Sequence, residues 1–329
     1  MRAVLCKDYG PPDSLVLENL ASPKAGDDEV VVSVHAASVN FPDILMIQNK
    51  YQFQPPLPFA PGSELAGVVK EVGANVTSVK PGDHVLLGSG FGGFTEEYLV
   101  NKDRVSRLIK LPANIDFGAA AAFYMAYATS YHGLKDRAEM KAGETLVVLG
   151  ASGGVGLAAV ELGKLMGTRV IACASTVDKL ALCKKYGADE TINYATEDLK
   201  ERIKELTGGK GADVIYDPIG DKFSEPALRA IGWKGRFLVV GFAAGEIPRI
   251  PLNLTLLKGC QIVGVFWGSF ARQEPKASEA NNRELIDMLA SGKIKPYVQK
   301  RYALAEVPQA LNDIAARKVL GKIIIDTRA

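Results

Sequence analysis

The sequence predicts an α/β chain in which a β-rich domain is interrupted by a doubly wound parallel sheet. Three observations carry this. Thr145 to Gly156 reads as a buried strand, a glycine-rich turn and the start of a helix. Strand-like and helical runs then alternate to about residue 265. Residues 1 to about 120 instead break into short strands separated by Pro61-Gly62, Pro81-Gly82 and Gly92-Gly93 turns.

The first observation is the most specific. Leu146 to Leu149 are continuously apolar, as expected of a central parallel strand. Gly153 and Gly156 fall on the last two glycines of a dinucleotide fingerprint, and Ala151 replaces the first. A glycine at 153 lets backbone approach a pyrophosphate, and one at 156 lets helix pack close on strand. Ala151, Ser152, Gly153, Gly154, Val155 and Gly156 are therefore the candidate phosphate cradle, backed by the positive end of a helix. Val155, Ala158, Ala159, Leu162, Leu165 and Met166 continue that helix at the right spacing.

The next strand, Arg169 to Ala174, selects the dinucleotide. A site for NAD ordinarily closes this strand with Asp or Glu, which holds the ribose 2′-hydroxyl. Here Ser175 and Thr176 follow, with Lys179 one helical turn on. A hydroxyl pair and a cation suit a 2′-phosphate, so the sequence favours NADPH. The competing reading is a capping hydroxyl and a solvated lysine.

Four more strands are expected at Thr191–Tyr194, Asp213–Asp217, Arg236–Val240 and Gln261–Phe266, completing a six-stranded sheet. Glu29–His35 and Glu64–Val72 are strands of the β-rich domain. The tail holds a helix at 282–290, a helix at Glu306–Ala316 and a strand at Lys322–Asp326, with no place in the six-stranded sheet. The expected domains are therefore 1–124 with 266–329, and 125–265. The last strand of the sheet, Gln261 to Trp267, is apolar and would lie at an edge. Such an edge invites pairing with its two-fold mate, and a homodimer is expected.

Composition excludes several classes. Of 329 residues, 47% are hydrophobic and 23% charged, with a net charge of +2 and no basic run. Nucleic-acid and membrane-surface binding therefore lack electrostatic support. The opening Met1–Asp8 breaks its apolar run too early for a signal peptide, and a cytoplasmic location is expected. Cys6, Cys173, Cys183 and Cys260 form no ligand-spaced pair and read as free thiols.

Several motifs occur in one order. They are Ser38-Val-Asn40-Phe-Pro-Asp43, Pro61-Gly-Ser-Glu-Leu-Ala-Gly67, Pro81-Gly-Asp83, Gly150 to Ala159, Asp217-Pro-Ile-Gly220, Val240-Gly-Phe-Ala243 and Gly321-Lys322. With them the chain resembles the zinc-free quinone oxidoreductase branch, zeta-crystallin-like, of the medium-chain dehydrogenase/reductase superfamily. The resemblance implies a GroES-like catalytic domain and a Rossmann domain. Zinc relatives carry a cysteine where this chain has Asn40, and Gly-His-Glu where it has Gly62-Ser63-Glu64. Two ligands of a catalytic zinc are thus replaced, so no metal is expected.

The resemblance also implies hydride transfer to quinones or α,β-unsaturated carbonyl compounds. It matches Asn40, Tyr51 and Thr129 to residues beside the acceptor and the nicotinamide. Tyr194 and Arg317 match contacts of the adenosine ribose or its 2′-phosphate. Gly241, Phe242, Ala243, Phe266, Trp267 and Gly268 follow the fifth and sixth strands, where backbone nears the cofactor. An enoyl-thioester or haloacrylate-type reductase, or a non-catalytic crystallin-like NADPH binder, are the alternatives on the same scaffold.

Overall fold

A computed structural model describes residues 1–329. The chain forms two units, Met1–Met125 with Leu289–Ala329, and Ala126–Met288. Residues 266–288 therefore belong with the second unit, not with the catalytic domain as the sequence suggested. The reason is polar. Asn281 Nδ2 donates to Asp136 Oδ2 at 2.7 Å, and Lys135 Nζ reaches Glu284 at 2.7 Å. His132 also stacks on Phe270 at 3.9 Å. Apolar periodicity carries no trace of these contacts.

The first unit holds β1 (Arg2–Leu5), β2 (Val16–Asn19), β3 (Val30–Ser38), α1 (Phe41–Ile47), β4 (Glu64–Val72), β5 (His84–Leu87), β6 (Glu97–Val100), α2 (Lys102–Val105) and β7 (Ile109–Lys110). The unit boundary falls inside α3 (Phe117–Tyr131), which a π-helical turn, His132–Arg137, follows.

The second unit continues with β8 (Thr145–Val148), α4 (Gly154–Leu165), β9 (Arg169–Ala174), α5 (Val177–Lys185), β10 (Glu190–Asn193) and α6 (Leu199–Leu206). Next come β11 (Ala212–Asp217), α7 (Ser224–Arg229), β12 (Ile231–Val239), α8 (Asn253–Lys258), β13 (Gln261–Gly264), α9 (Trp267–Gln273) and α10 (Pro275–Ala290). The chain then returns to the first unit with β14 (Val298–Ala303), α11 (Val307–Ala315) and β15 (Lys322–Asp326).

The second unit's sheet runs β10-β9-β8-β11-β12-β13, every pair parallel. That is the doubly wound order expected, with its switch point between β8 and β11. Val147, Leu149, Ile171, Cys173, Ile192 and Ile215 fill the core against one face. β12 begins at Ile231, five residues before the expected Arg236. Gly211 and Gly232 explain this, since a Cβ on Gly211 would lie 2.6 Å from the Gly232 nitrogen. Two chains approach here through bare backbone, which reads as a turn in sequence.

The first unit's seven-stranded sheet runs β14-β15-β3-β4-β5-β7, with β6 on β3. β15 lies antiparallel to β3, pairing Ile324 with Ser38. Because of that pairing, Lys322 lies beside the residues that follow β3.

Candidate active site

In the second unit the candidate residues stand at the carboxyl ends of the parallel strands, where an open α/β sheet forms its ligand crevice. Gly150 to Gly156 follow β8, Ser175 follows β9 and Tyr194 follows β10. Gly241, Phe242 and Ala243 follow β12, and Phe266, Trp267 and Gly268 follow β13.

The glycine turn separates packing from access. A Cβ on Gly156 would lie 2.3 Å from Gly150 O and 2.9 Å from Ala151 Cα, so this glycine serves close helix–strand packing. Gly150 has φ +56°, and its Cβ would meet Ile219 at 2.5 Å. A Cβ on Gly153 would meet only Gly150 O, at an ordinary 3.5 Å. The protein's own packing leaves room at 153, as a bound pyrophosphate would require. Gly153 caps α4, and the first N–H groups of that helix have no intrahelical acceptor. The turn therefore fits a dinucleotide.

Ser175, Lys179 and Tyr194 come together. Thr176 caps α5, accepting from Lys179 N at 3.4 Å. The Lys179 ammonium bends to Ser175 Oγ at 3.3 Å. Tyr194 N donates to Ala174 O at 3.1 Å, which places the tyrosine beside the end of β9, and its ring leans on Phe223. Thr176 is thus the capping hydroxyl, and Ser175 with Lys179 is the polar pair. Arg317 lies apart from this group in sequence and unit: it follows α11 in the first unit, exposed, at φ +57°.

Thr129 is half-buried on α3. Its neighbour Ser130 donates to Val155 O at 2.8 Å and pairs with Tyr216 Oη at 2.9 Å. α3 is thereby tied to the first turn of α4. Sequence reasoning missed Ser130, and also Asp217. The buried Asp217 carboxylate accepts from Ile219 N, Gly220 N and Ser224 Oγ, shaping the loop that packs on Gly150. Its signal was the Asp-Pro-Ile-Gly run after an apolar strand.

In the first unit Asn40 begins α1 and sits in a buried polar cluster. Its Oδ1 accepts from Lys322 Nζ at 2.5 Å. Its Nδ2 donates to Glu64 Oε1 at 2.9 Å and Ser63 Oγ at 3.2 Å. Both amide hydrogens have protein acceptors, which brace Asn40 at the start of α1. Glu64 also accepts from Met125 N at 2.7 Å and from Lys322 at 3.1 Å. Asp43, fully buried, accepts from Asn40 N at 2.8 Å through Oδ2, while Oδ1 has no partner.

Burial pushes the Asp43 carboxyl up to about 7, against the pull of Asn40 N–H, Ser63 and Lys322. Tyr51 lies just beyond α1, half-buried against the unit's core. Burial first, and the Asp43 charge second, raise its phenol above the usual tyrosine range. It is a neutral hydrogen-bond donor at physiological pH.

The model of the alcohol dehydrogenase GroES-like domain matches residues 26–113, and that of the zinc-binding dehydrogenases matches 154–285. No group of three His, Cys, Asp or Glu is gathered as a metal site. A quinone oxidoreductase-like protein 2 homolog of Nematostella vectensis is 40% identical, covering 99% of this chain and 89% of its own. A quinone oxidoreductase of Pseudomonas aeruginosa is 33% identical, covering 96% and 97%. The Escherichia coli quinone oxidoreductase solved in complex with NADPH aligns with TM-score 0.91 at 29% identity, over 99% of this chain and 100% of that one. The ordered motifs, the paired folds and this full-length similarity have one reading: the chain belongs to the zinc-free quinone oxidoreductase family of medium-chain dehydrogenases/reductases.

Proposed function

We propose that this oxidoreductase uses NADPH to reduce quinones or α,β-unsaturated carbonyl compounds without a metal. The observation that carries the cofactor choice is the Ser175–Lys179 pair after β9, where a serine stands in place of the acid that would close the strand in an NAD site. Gly153, Gly154, Val155 and Gly156 hold the pyrophosphate through backbone N–H groups. Ala151 and Ser152 shape that turn. Gly241 to Ala243, Thr129 and Phe266 to Gly268 line the rest of the cofactor path. Arg317 is proposed as a second cation for the phosphate, on the family resemblance.

Bound NADPH supplies hydride. The chain's own contribution is to place an electron-poor acceptor and to offer a donor to the oxygen that gains charge. Tyr51 is that donor, its phenol kept protonated by burial and by Asp43. Asn40, braced by Lys322 and Glu64, is proposed to stand beside the acceptor, on the family resemblance. The positions matched to zinc ligands support the metal-free reading, since the Asn40 amide donates both to Ser63 Oγ and to Glu64 Oε1. NADPH oxidation followed by absorbance over a panel of quinones, enones and an enoyl thioester, with NADH as control, tests the reaction. Turnover confined to the thioester would replace the quinone reading.

A homodimer through β13 is part of the same proposal. β13 is an edge strand, with Ile262 39% exposed. Beside it Trp233, Leu256 and Leu257 present exposed apolar surface. Sedimentation at micromolar concentration should give twice the chain mass, and Ile262→Lys should return it to one. The proposed compartment is the cytoplasm, on four unpaired cysteines.

A further inference from the structure

The polar cluster under α1 holds two carboxylates and one ammonium, all almost wholly out of water. Glu64 and Asp43 are 0% exposed and Lys322 is 6% exposed. The ammonium spends its three donors on Asn40 Oδ1 at 2.5 Å, Glu64 Oε1 at 3.1 Å and Val39 O at 3.4 Å. That set dictates which way the Asn40 amide points: turned over, its NH2 would face the ammonium. Asn40 N in turn donates to Asp43, closing the first turn of α1. A buried ion pair is weak evidence for stability, since apolar side chains of similar size commonly do as well. Its better-attested use is to enforce one arrangement.

We propose that Lys322 is a positioning residue for acceptor reduction: its ammonium sets the Asn40 amide and the start of α1, and through α1 the loop that carries Tyr51. The proposal rests on the quinone-reductase reading above. α1 ends at Ile47, and Lys50 N still bonds back to Leu45 O at 2.8 Å, so Tyr51 follows without an intervening flexible segment. The groups facing Asp43 are Asn40 N–H, the Ser63 hydroxyl, Lys322, Glu64 and Tyr51. Lys322 draws the Asp43 carboxyl down, and Glu64 pushes it up. Asp43 is therefore an internal reporter of whether the ammonium is in place.

The test uses the full chain with Lys322→Met and Lys322→Arg. Steady-state kinetics are measured with 1,4-benzoquinone, and NADPH affinity by fluorescence titration. Asp43 is followed by 13C carboxyl NMR, assigned with Asp43→Asn. Lys322→Met should lower kcat/KM for the quinone at least about tenfold, since misplacement by an ångström costs up to a hundredfold. Its NADPH affinity should stay within about twofold, and its Asp43 titration should move upward by about a unit. Lys322→Arg should restore much of the quinone kinetics. Wild-type quinone kinetics or an unmoved Asp43 titration in Lys322→Met would overturn the proposal, as would an equal loss of NADPH affinity. Should Lys322→Met not fold, Asn40→Ala is the second variant. It removes the braced amide and should reproduce the quinone defect; unchanged kinetics there would equally overturn it. A wild-type protein inert toward every acceptor defeats the quinone-reductase reading, and the NMR comparison then still decides the Lys322–Asp43 coupling.

Discussion

The two units hold their candidate residues by opposite means. In the Ala126–Met288 unit the proposed cofactor cradle is backbone: strand ends, one helix N-terminus and glycines whose missing side chains leave room. In the other unit Asn40 sits in a side-chain network of Asp43, Ser63, Glu64 and Lys322, and Tyr51 follows just beyond the helix that Asn40 caps. Backbone sites have no charge balance to upset, so they fail by steric intrusion. The network fails by electrostatics, and every member is exposed to the loss of any other.

The largest break is therefore expected in the network. Glu64→Gln leaves the Lys322 ammonium buried without a full counter-charge and should cost about 3–5 kcal/mol of stability by urea unfolding. A loss under about 1 kcal/mol would place the cluster on the backbone side of the comparison.

A pH series is nearly as large. The folded Asp43 carboxyl sits at about 7, against 3.8 unperturbed. Between those values the native state holds a proton that the unfolded chain has released, so stability falls as pH rises from about 4 to 7. Above 7 this contribution levels off, having amounted to about 4 kcal/mol. Asp43→Asn should flatten that part of the stability–pH curve, and an unchanged slope would clear Asp43 of the effect.

The glycine turn sharpens the other side. Gly156→Ala drives a methyl into Gly150 O and should lower stability by about 1–3 kcal/mol. Gly153→Ala meets only ordinary contact, so its melting temperature should hold while NADPH binding weakens. Equal melting for both variants would show that the turn relaxes more freely than backbone packing allows. Comparable in size is Lys179→Ala, which should cost NADPH about 1.5–3 kcal/mol of affinity and NADH almost nothing. Equal losses would remove the 2′-phosphate assignment.

The same contrast explains what could be read in the sequence. β4 and β15 match their expected bounds, and all six parallel strands occur in the expected order. Apolar periodicity and glycine spacing record backbone sites directly. Lys322 opens an apolar strand, and Asp43 and Glu64 look like ordinary surface charges until β15 pairs with β3 and brings them together. α10 begins at Pro275, seven residues before the expected start, because its early turns are polar and carry no apolar stripe. A long-range partnership between charged side chains leaves no local pattern.

Tyr216, Ser130 and Val155 form one directional relay: phenol to hydroxyl to carbonyl, with Ser130 and Tyr216 wholly enclosed. Ser130 adjoins Thr129, and Val155 belongs to the phosphate turn. One buried hydroxyl thus joins α3, beside Thr129, to the turn proposed to hold the pyrophosphate. If that hydroxyl is the mechanical link, amide exchange at Val155 and at Thr129 should slow together when NADPH is added, and exchange that slows at Val155 alone would separate the two.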